Sequence, residues 1–508
     1  VQLWKNCNAS NLRKSILAIG PVRRKEATLV RFIASWVDQA ALIVTGIFLL
    51  PLYLNILGIK MYGLWLSSGG IIAWISMITI SPIVSQRVAF HYGNKDLTLA
   101  TSYYWSSYIV NLLTSLIVVV LSWVLSTHLV NFFEVPLESA QELRGAFLIA
   151  VAALLIQLMT GSAGAFINSI QRPLIILWMR PFAAIAHVLT TYLLLVSGYG
   201  LYCIPLGLVV RNLLIGLWAC AFASYYALKI NRSLIIKYDT ICDILVNSPA
   251  TVFGYLGRGA AGRLQYTLLG GFLGPEIVAI YDAATKLMQF IQTIISRFIG
   301  AILPSFAHLY GTQETTRINT IFQRVFLLVF CGAAAGIIFY GIFNNSLVAI
   351  WIGPEMLVSF EITLCVGIAC FWVLIAEFLS GVLVQVGKIS YASSLAGIFS
   401  ILQLVLVISL IQKLGLLALP VSQLLSSIIA AILLLYSLRD FVKTGIPDKP
   451  INLLAGPLIL LLTISGTYVG CQTQLSMLQL ASIILAVAVT FLLCFSFARK
   501  YFLKLLIT

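Results

Sequence analysis

Charge is scarce in this chain. Only 9% of its 508 residues are Asp, Glu, Lys or Arg, and the acids are scarcer still, 16 against 31 basic residues. With 61% hydrophobic residues and a mean hydropathy of +1.03, a water-soluble globular domain is excluded, because such domains carry about 25% charged residues. The basic excess therefore does not point to nucleic acid. Its meaning depends on which side of a bilayer the charges fall. The nine cysteines contain no CxxC pair, which excludes a zinc ribbon or a disulfide framework and leaves small apolar packing groups. Four dispersed histidines, His91, His128, His187 and His308, offer no metal site. There is no P-loop, GxSxG or HExxH, nor a paired Asp cluster with nucleotide-sugar spacing, so neither ATP hydrolysis nor glycosyl transfer is expected. No cofactor is implied.

What fills the chain is apolar runs of roughly 20 residues, the length that crosses a bilayer as a helix. They predict an all-α polytopic membrane protein of about fourteen spans, near 29–57, 62–85, 102–127, 144–168, 173–197, 201–228, 249–273, 277–309, 323–345, 358–383, 389–412, 415–438, 451–471 and 477–498. The first run is a full span without a small-residue cleavage site and is expected to stay as an uncleaved anchor. With both termini cytoplasmic, inner segments collect Arg23, Arg24, Lys25, Arg87, Lys95, Lys229, Lys237, Arg324 and Arg439. Outer loops carry Glu134, Glu138, Glu142, Glu276, Glu355 and Glu361. This distribution satisfies the positive-inside rule. The basic leader, residues 1–28, reads as a short interfacial helix broken at Gly20-Pro21 or as a disordered tail near anionic lipid headgroups.

The chain also repeats itself at an offset of 215 to 218 residues. Leu57-Gly58 matches Leu273-Gly274, Tyr92-Gly93 matches Tyr310-Gly311, and Leu129-Val130 with Pro136 matches Leu347-Val348 with Pro354. Gln171-Arg172 falls opposite Gly387-Lys388, and Gly200-Leu201 with Pro205 recurs as Gly415-Leu416 with Pro420. The offset equals six spans, an even number, so the halves are parallel repeats. The expected division is a leader 1–28, an N-lobe 29–228, a cytoplasmic linker 229–248, a C-lobe 249–440 and a tail 441–508 holding the last two spans.

Charges inside such spans cost several kcal/mol unless they face a bundle interior or a hydrated cavity. Five are basic: Arg211, Arg258, Arg263, Lys286 and Arg297. The span-embedded acids are Asp38, Asp282 and Glu377. Even with each acid paired, two positive charges remain, which favours an anionic substrate. Span eight carries Asp282, Lys286, Gln289, Thr293, Ser296 and Arg297 as one polar stripe, with Asp282 and Lys286 placed to pair at i,i+4. Span seven sets Tyr255, Arg258, Gln265 and Tyr266 on a common face among glycines, with Arg258 about 14 Å and Arg263 about 21 Å along the helix. Arg258, Arg297, Arg263, Lys286 and Arg211 are the candidate substrate-binding residues; Asp38 and Asp282 are candidate counterions or ion-coupling groups. The competing structural reading is snorkelling or a helix-locking pair, which suits Arg31, Arg180 and Glu377 best.

The stretch Phe48 to Gly70, FLLPLYLNILGIKMYGLWLSSGG, resembles the first-to-second helix signature of the polysaccharide biosynthesis membrane proteins. These are the O-antigen type flippases of the multidrug/oligosaccharidyl-lipid/polysaccharide superfamily. Tyr281 to Lys286 followed by Ile302-Leu303-Pro304 is similar to that family's eighth-helix pattern, and Val348 to Pro354 resembles the loop after its ninth. The resemblance spans about residues 28–440. It implies a V-shaped pair of six-helix lobes in a bacterial inner membrane, flipping an undecaprenyl-pyrophosphate-linked oligosaccharide to the periplasmic leaflet. The partners it implies are membrane lipids and the polysaccharide polymerase and chain-length machinery. Transport would draw on H+ or Na+ coupling through Asp38 or Asp282, or on downstream removal of the cargo. Two other readings stay open: a cation-coupled multidrug or metabolite exporter of the same superfamily, which calls for an acidic cavity, and a membrane polysaccharide polymerase or ligase, which calls for a large external loop. No predicted external loop exceeds about 20 residues.

Overall fold

With no water to satisfy peptide groups, apolar runs of this length close their hydrogen bonds internally and become helices. The computed structural model describes residues 24–439 except 312–314, together with 464, 467 and 468; the leader to residue 23 and the two expected C-terminal spans lie outside the described residues. Twelve α-helices are described: α1 (Arg24–Ile75), α2 (Ser81–Gly93), α3 (Leu97–Phe132), α4 (Leu137–Ser169), α5 (Leu174–Val196), α6 (Cys203–Ile230), α7 (Tyr238–Leu273), α8 (Pro275–Gly311), α9 (Thr315–Trp351), α10 (Phe360–Gln385), α11 (Ile389–Leu414) and α12 (Ala418–Ser437). Among the described residues, nine stretches are long and apolar enough to cross a membrane by length and composition. The molecule is an all-α polytopic membrane protein.

Expected spans three to twelve coincide with α3 to α12. The first two do not divide as expected: α1 runs through both, broken at Gly58 (φ 81°, ψ 162°), and the end of the second span forms the separate α2. Gly58 occupies a backbone region that is essentially restricted to glycine, so the chain turns there without a loop. The repeat is visible in this backbone. Gly58 and Gly274 have φ of 81° and 93°, Gln171 and Gly387 have 62° and 88°, and Gly200 and Gly415 have 56° and 55°. Those last two glycines each open a 3-10 turn, Gly200–Tyr202 and Gly415–Leu417. Matched left-handed positions at the matched sequence anchors are what two parallel six-helix repeats require.

The described residues divide into two compact units. One comprises the chain to Leu49 and Ile72–Leu256; the other comprises Leu50–Ile71 and the chain from Gly257. The first unit packs α2 to α6 and the start of α7 about Val84, Val88, Tyr104, Phe166, Ala223 and Ile244. Its helix α3 is two-faced. Ser106, Ser107, Asn111, Ser115, Ser122 and Ser126 are buried, small enough for close helix approach, whereas Leu112, Leu116, Val120 and Trp123 are exposed on a lipid-compatible face. The second unit packs α7 to α12 about Leu269, Met288, Phe306, Phe322, Tyr340 and Phe378, and Leu66 of α1 packs against that core.

The stretch expected as an inter-lobe linker, 229–248, is largely helix, since α7 begins at Tyr238. Asp243 and Thr240 hold it in the first unit. Asp243 accepts from Arg87 (2.7 Å) of α2 and Tyr103 (3.0 Å) of α3, and the Thr240 hydroxyl lies 2.7 Å from that of Ser106. The chain then passes into the second unit along α7, whose Leu256 carbonyl accepts from the Trp74 indole of α1 at 3.1 Å.

Candidate functional site

In the second unit three helix segments converge on one carboxylate. Asp282, near the start of α8, is 2% exposed. The Nζ of Lys286, one turn along, lies 2.8 and 2.7 Å from its two oxygens, as i,i+4 neighbours on a helix allow. Tyr62, four residues past the Gly58 break in α1, donates its hydroxyl to Asp282 at 3.1 Å, and Tyr266 of α7 does the same at 3.1 Å. Gln289, two turns along from Asp282, donates at 3.4 Å and also to the Tyr266 hydroxyl (2.9 Å) and to Thr285 (3.1 Å). A carboxylate has about four lone-pair sites. Four donors occupy them here, so the buried charge is balanced and fully hydrogen-bonded, the condition for a carboxylate to persist away from water.

Segment 50–71 is fitted closely to this unit. The Thr267 hydroxyl donates to the Ser67 carbonyl at 2.6 Å. A Cβ added at Gly63 would collide with the Pro275 carbonyl oxygen, and one at Gly70 would lie 2.5 Å from the Arg263 carbonyl oxygen. Glycine at both positions is the condition for α1 to approach α7 and α8 at backbone distance.

Beside the carboxylate network lies a small open pocket. Gln265 and Tyr266 of α7, Gln289 and Gln292 of α8, Cys370 of α10 and Gln423 of α12 contribute to its lining. The Cys370 thiol lies 3.9 Å from the Gln292 amide oxygen.

The other expected site residues are distributed as follows. Lys286 and Asp282 form the pair that their spacing predicted. Arg263 and Arg297 are exposed on α7 and α8, and beside Arg297 the Ser296 hydroxyl donates to Glu377 of α10 at 2.6 Å. Arg258 lies on α7 and Asp38 on α1, but both side chains fall outside the described residues. Arg211 is half-buried on α6 of the first unit. Sequence reasoning missed Tyr62, Gln423 and Cys370. Tyr62 had a signal, since it sits inside the quoted Phe48 to Gly70 signature. Gln423 and Cys370 are isolated on apolar helices and had none.

No protein-family model matches the chain, and no curated protein matches it. Solved structures do. A multidrug resistance MATE family transporter of the MOP superfamily, in an inward-facing conformation, is similar with a TM-score of 0.63 at 13% identity over 79% of this chain and 96% of that one. The lipid II flippase MurJ, in an inward closed conformation, is similar with a TM-score of 0.61 at 12% identity over 86% and 97%. The chain shares its fold with these two proteins. An outward-facing MATE transporter of the same superfamily is also similar, with a TM-score of 0.54 at 13% identity over 82% and 94%. The same fold thus occurs in a multidrug resistance transporter and in a lipid II flippase, and the fold by itself does not assign a function.

Proposed function

We propose that this protein is a transporter that moves an anionic lipid-linked oligosaccharide, carried on undecaprenyl pyrophosphate, from the cytoplasmic to the periplasmic leaflet of a bacterial inner membrane by alternating access. Both termini are cytoplasmic in this reading, and the chain is a carrier, not an enzyme. The observation that carries it is the charge balance of the spans. Lys286 takes up Asp282, so the span-embedded acids left for Arg211, Arg258, Arg263 and Arg297 are Asp38 and Glu377. Four guanidinium groups against two carboxylates retain a surplus that a pyrophosphate would complement, because guanidinium forks bind phosphate oxygens in pairs. Asp282 then acts as a counterion, leaving Asp38 as the candidate for H+ or Na+ coupling. The likeness to a lipid II flippase over 86% of the chain supports a flippase.

The MATE likeness favours a second reading, a cation-coupled exporter of drugs or metabolites. The two separate in one assay, transfer between vesicle leaflets of a labelled lipid-linked oligosaccharide with a cationic drug as comparison. Movement of the glycolipid and not of the drug supports the proposal; the reverse result replaces it with the exporter.

A further inference from the structure

We infer that the pocket in the second unit is a recognition subsite for one uncharged pyranose ring of the cargo, with Gln265 and Gln423 as its specificity-determining residues. The inference rests on the lipid-linked oligosaccharide reading and assigns it a sugar-contacting surface separate from the arginines.

The pocket's chemistry is that of a neutral, hydroxyl-rich ligand. Among the described residues no charged side chain lines it, and the adjoining Asp282 and Lys286 neutralise one another at 2.7 Å. Gln265 and Gln423 are half-buried in the lining. Among the described residues neither side-chain amide has a hydrogen-bond partner, which leaves two complete amides, each with two donor hydrogens and an acceptor oxygen. Gln292 accepts from Cys370 and keeps its amide hydrogens; Gln289 shares its two amide hydrogens among Tyr266, Thr285 and Asp282 and keeps its oxygen. The free groups are thus balanced between donors and acceptors. A hydroxyl both donates and accepts, so adjacent sugar hydroxyls match such a set. A phosphate, which only accepts, would leave the amide oxygens without donors, and an ammonium would leave the amide hydrogens without acceptors. Tyr281, Met288 and Val366 add an apolar wall suited to the C–H face of a ring. The pocket is open on one side, so it engages one edge of a ring and leaves the rest of the glycan outside.

The test uses the full-length protein in lipid nanodiscs. Three probes are compared: bare undecaprenyl pyrophosphate, the same lipid bearing one hexose, and the same lipid bearing one N-acetylhexosamine. Gln265→Leu, Gln423→Leu and the double variant remove the amides at nearly constant volume, and neither amide supports the fold through a hydrogen bond, so all three should retain wild-type thermal stability. At least one glycosylated probe should bind the wild type about tenfold more tightly than the bare carrier, equivalent to roughly 1.4 kcal/mol. The double variant should bind bare and glycosylated carriers alike, with its affinity for the bare carrier unchanged. A sugar preference that survives the double substitution, or no preference in the wild type, overturns the subsite and leaves the flippase reading standing. Failure of every probe to bind, the bare carrier included, overturns the lipid-carrier reading and the subsite with it.

Discussion

Replacing Asp282 with Leu should be among the most destabilising single changes in the second unit. The substitution leaves the Lys286 ammonium, on a side chain 16% exposed, without its counter-ion, and it removes the common acceptor of Tyr62, Tyr266 and Gln289. Breaking a buried pair from one side costs about 3–5 kcal/mol. At about 2–4 °C per kcal/mol for a unit of this size, the unfolding midpoint should fall by roughly 6–20 °C. Lys286→Met alone should cost less, because the carboxylate keeps two tyrosine donors and an amide. The double variant Asp282→Leu/Lys286→Met should be more stable than Asp282→Leu alone, since no isolated charge remains. Thermal unfolding of the four proteins in detergent, arranged as a double-mutant cycle, reads this coupling directly. A drop of only 1 or 2 °C for Asp282→Leu, or a double variant that loses the sum of the two single losses, would refute the claim that these charges form a mutually dependent buried pair.

The same assay separates two glycines by mechanism. Gly63→Ala should prevent segment 50–71 from seating, because the new methyl meets the Pro275 backbone, and should lower the yield of folded protein sharply. Gly58→Ala has open space but a positive φ, so it should fold with a penalty of about 1–3 kcal/mol. Arg87→Ala should change stability by no more than about 1 kcal/mol, since its side chain is 36% exposed. Asp243→Ala should cost more, about 1–3 kcal/mol, because Tyr103 and Asn247 lose an acceptor as well; chemical unfolding of the two variants gives the order. Arg258→Ala or Arg297→Ala should abolish surface glycan export at unchanged levels of inserted protein, and full export by both variants would reject the phosphate-binding role.

The convergence on Asp282 also explains why segment 50–71 belongs with residues far along the chain. A break at position 58, in a backbone region that favours glycine, redirects α1, and two further glycines admit its backbone against α7 and α8. The tyrosine four residues past that break then supplies one of the four donors on a carboxylate 220 positions away.

The sequence by itself determined the helical class, the positions of spans three to twelve, the six-span repeat and the Asp282–Lys286 pair. Each follows from local physics: apolar length sets a span, the i,i+4 spacing sets a pair, and glycine tolerance marks the left-handed positions that recur at Gly58 and Gly274, and at Gly200 and Gly415. Only the tertiary structure decided that Tyr62 reaches Asp282, that Gln265 and Gln423 share one pocket, and that 50–71 joins the second unit. Those contacts join residues from 158 to 220 positions apart, and which side chains meet across packed helices depends on rotation and close approach, quantities that an apolar run of any composition leaves open.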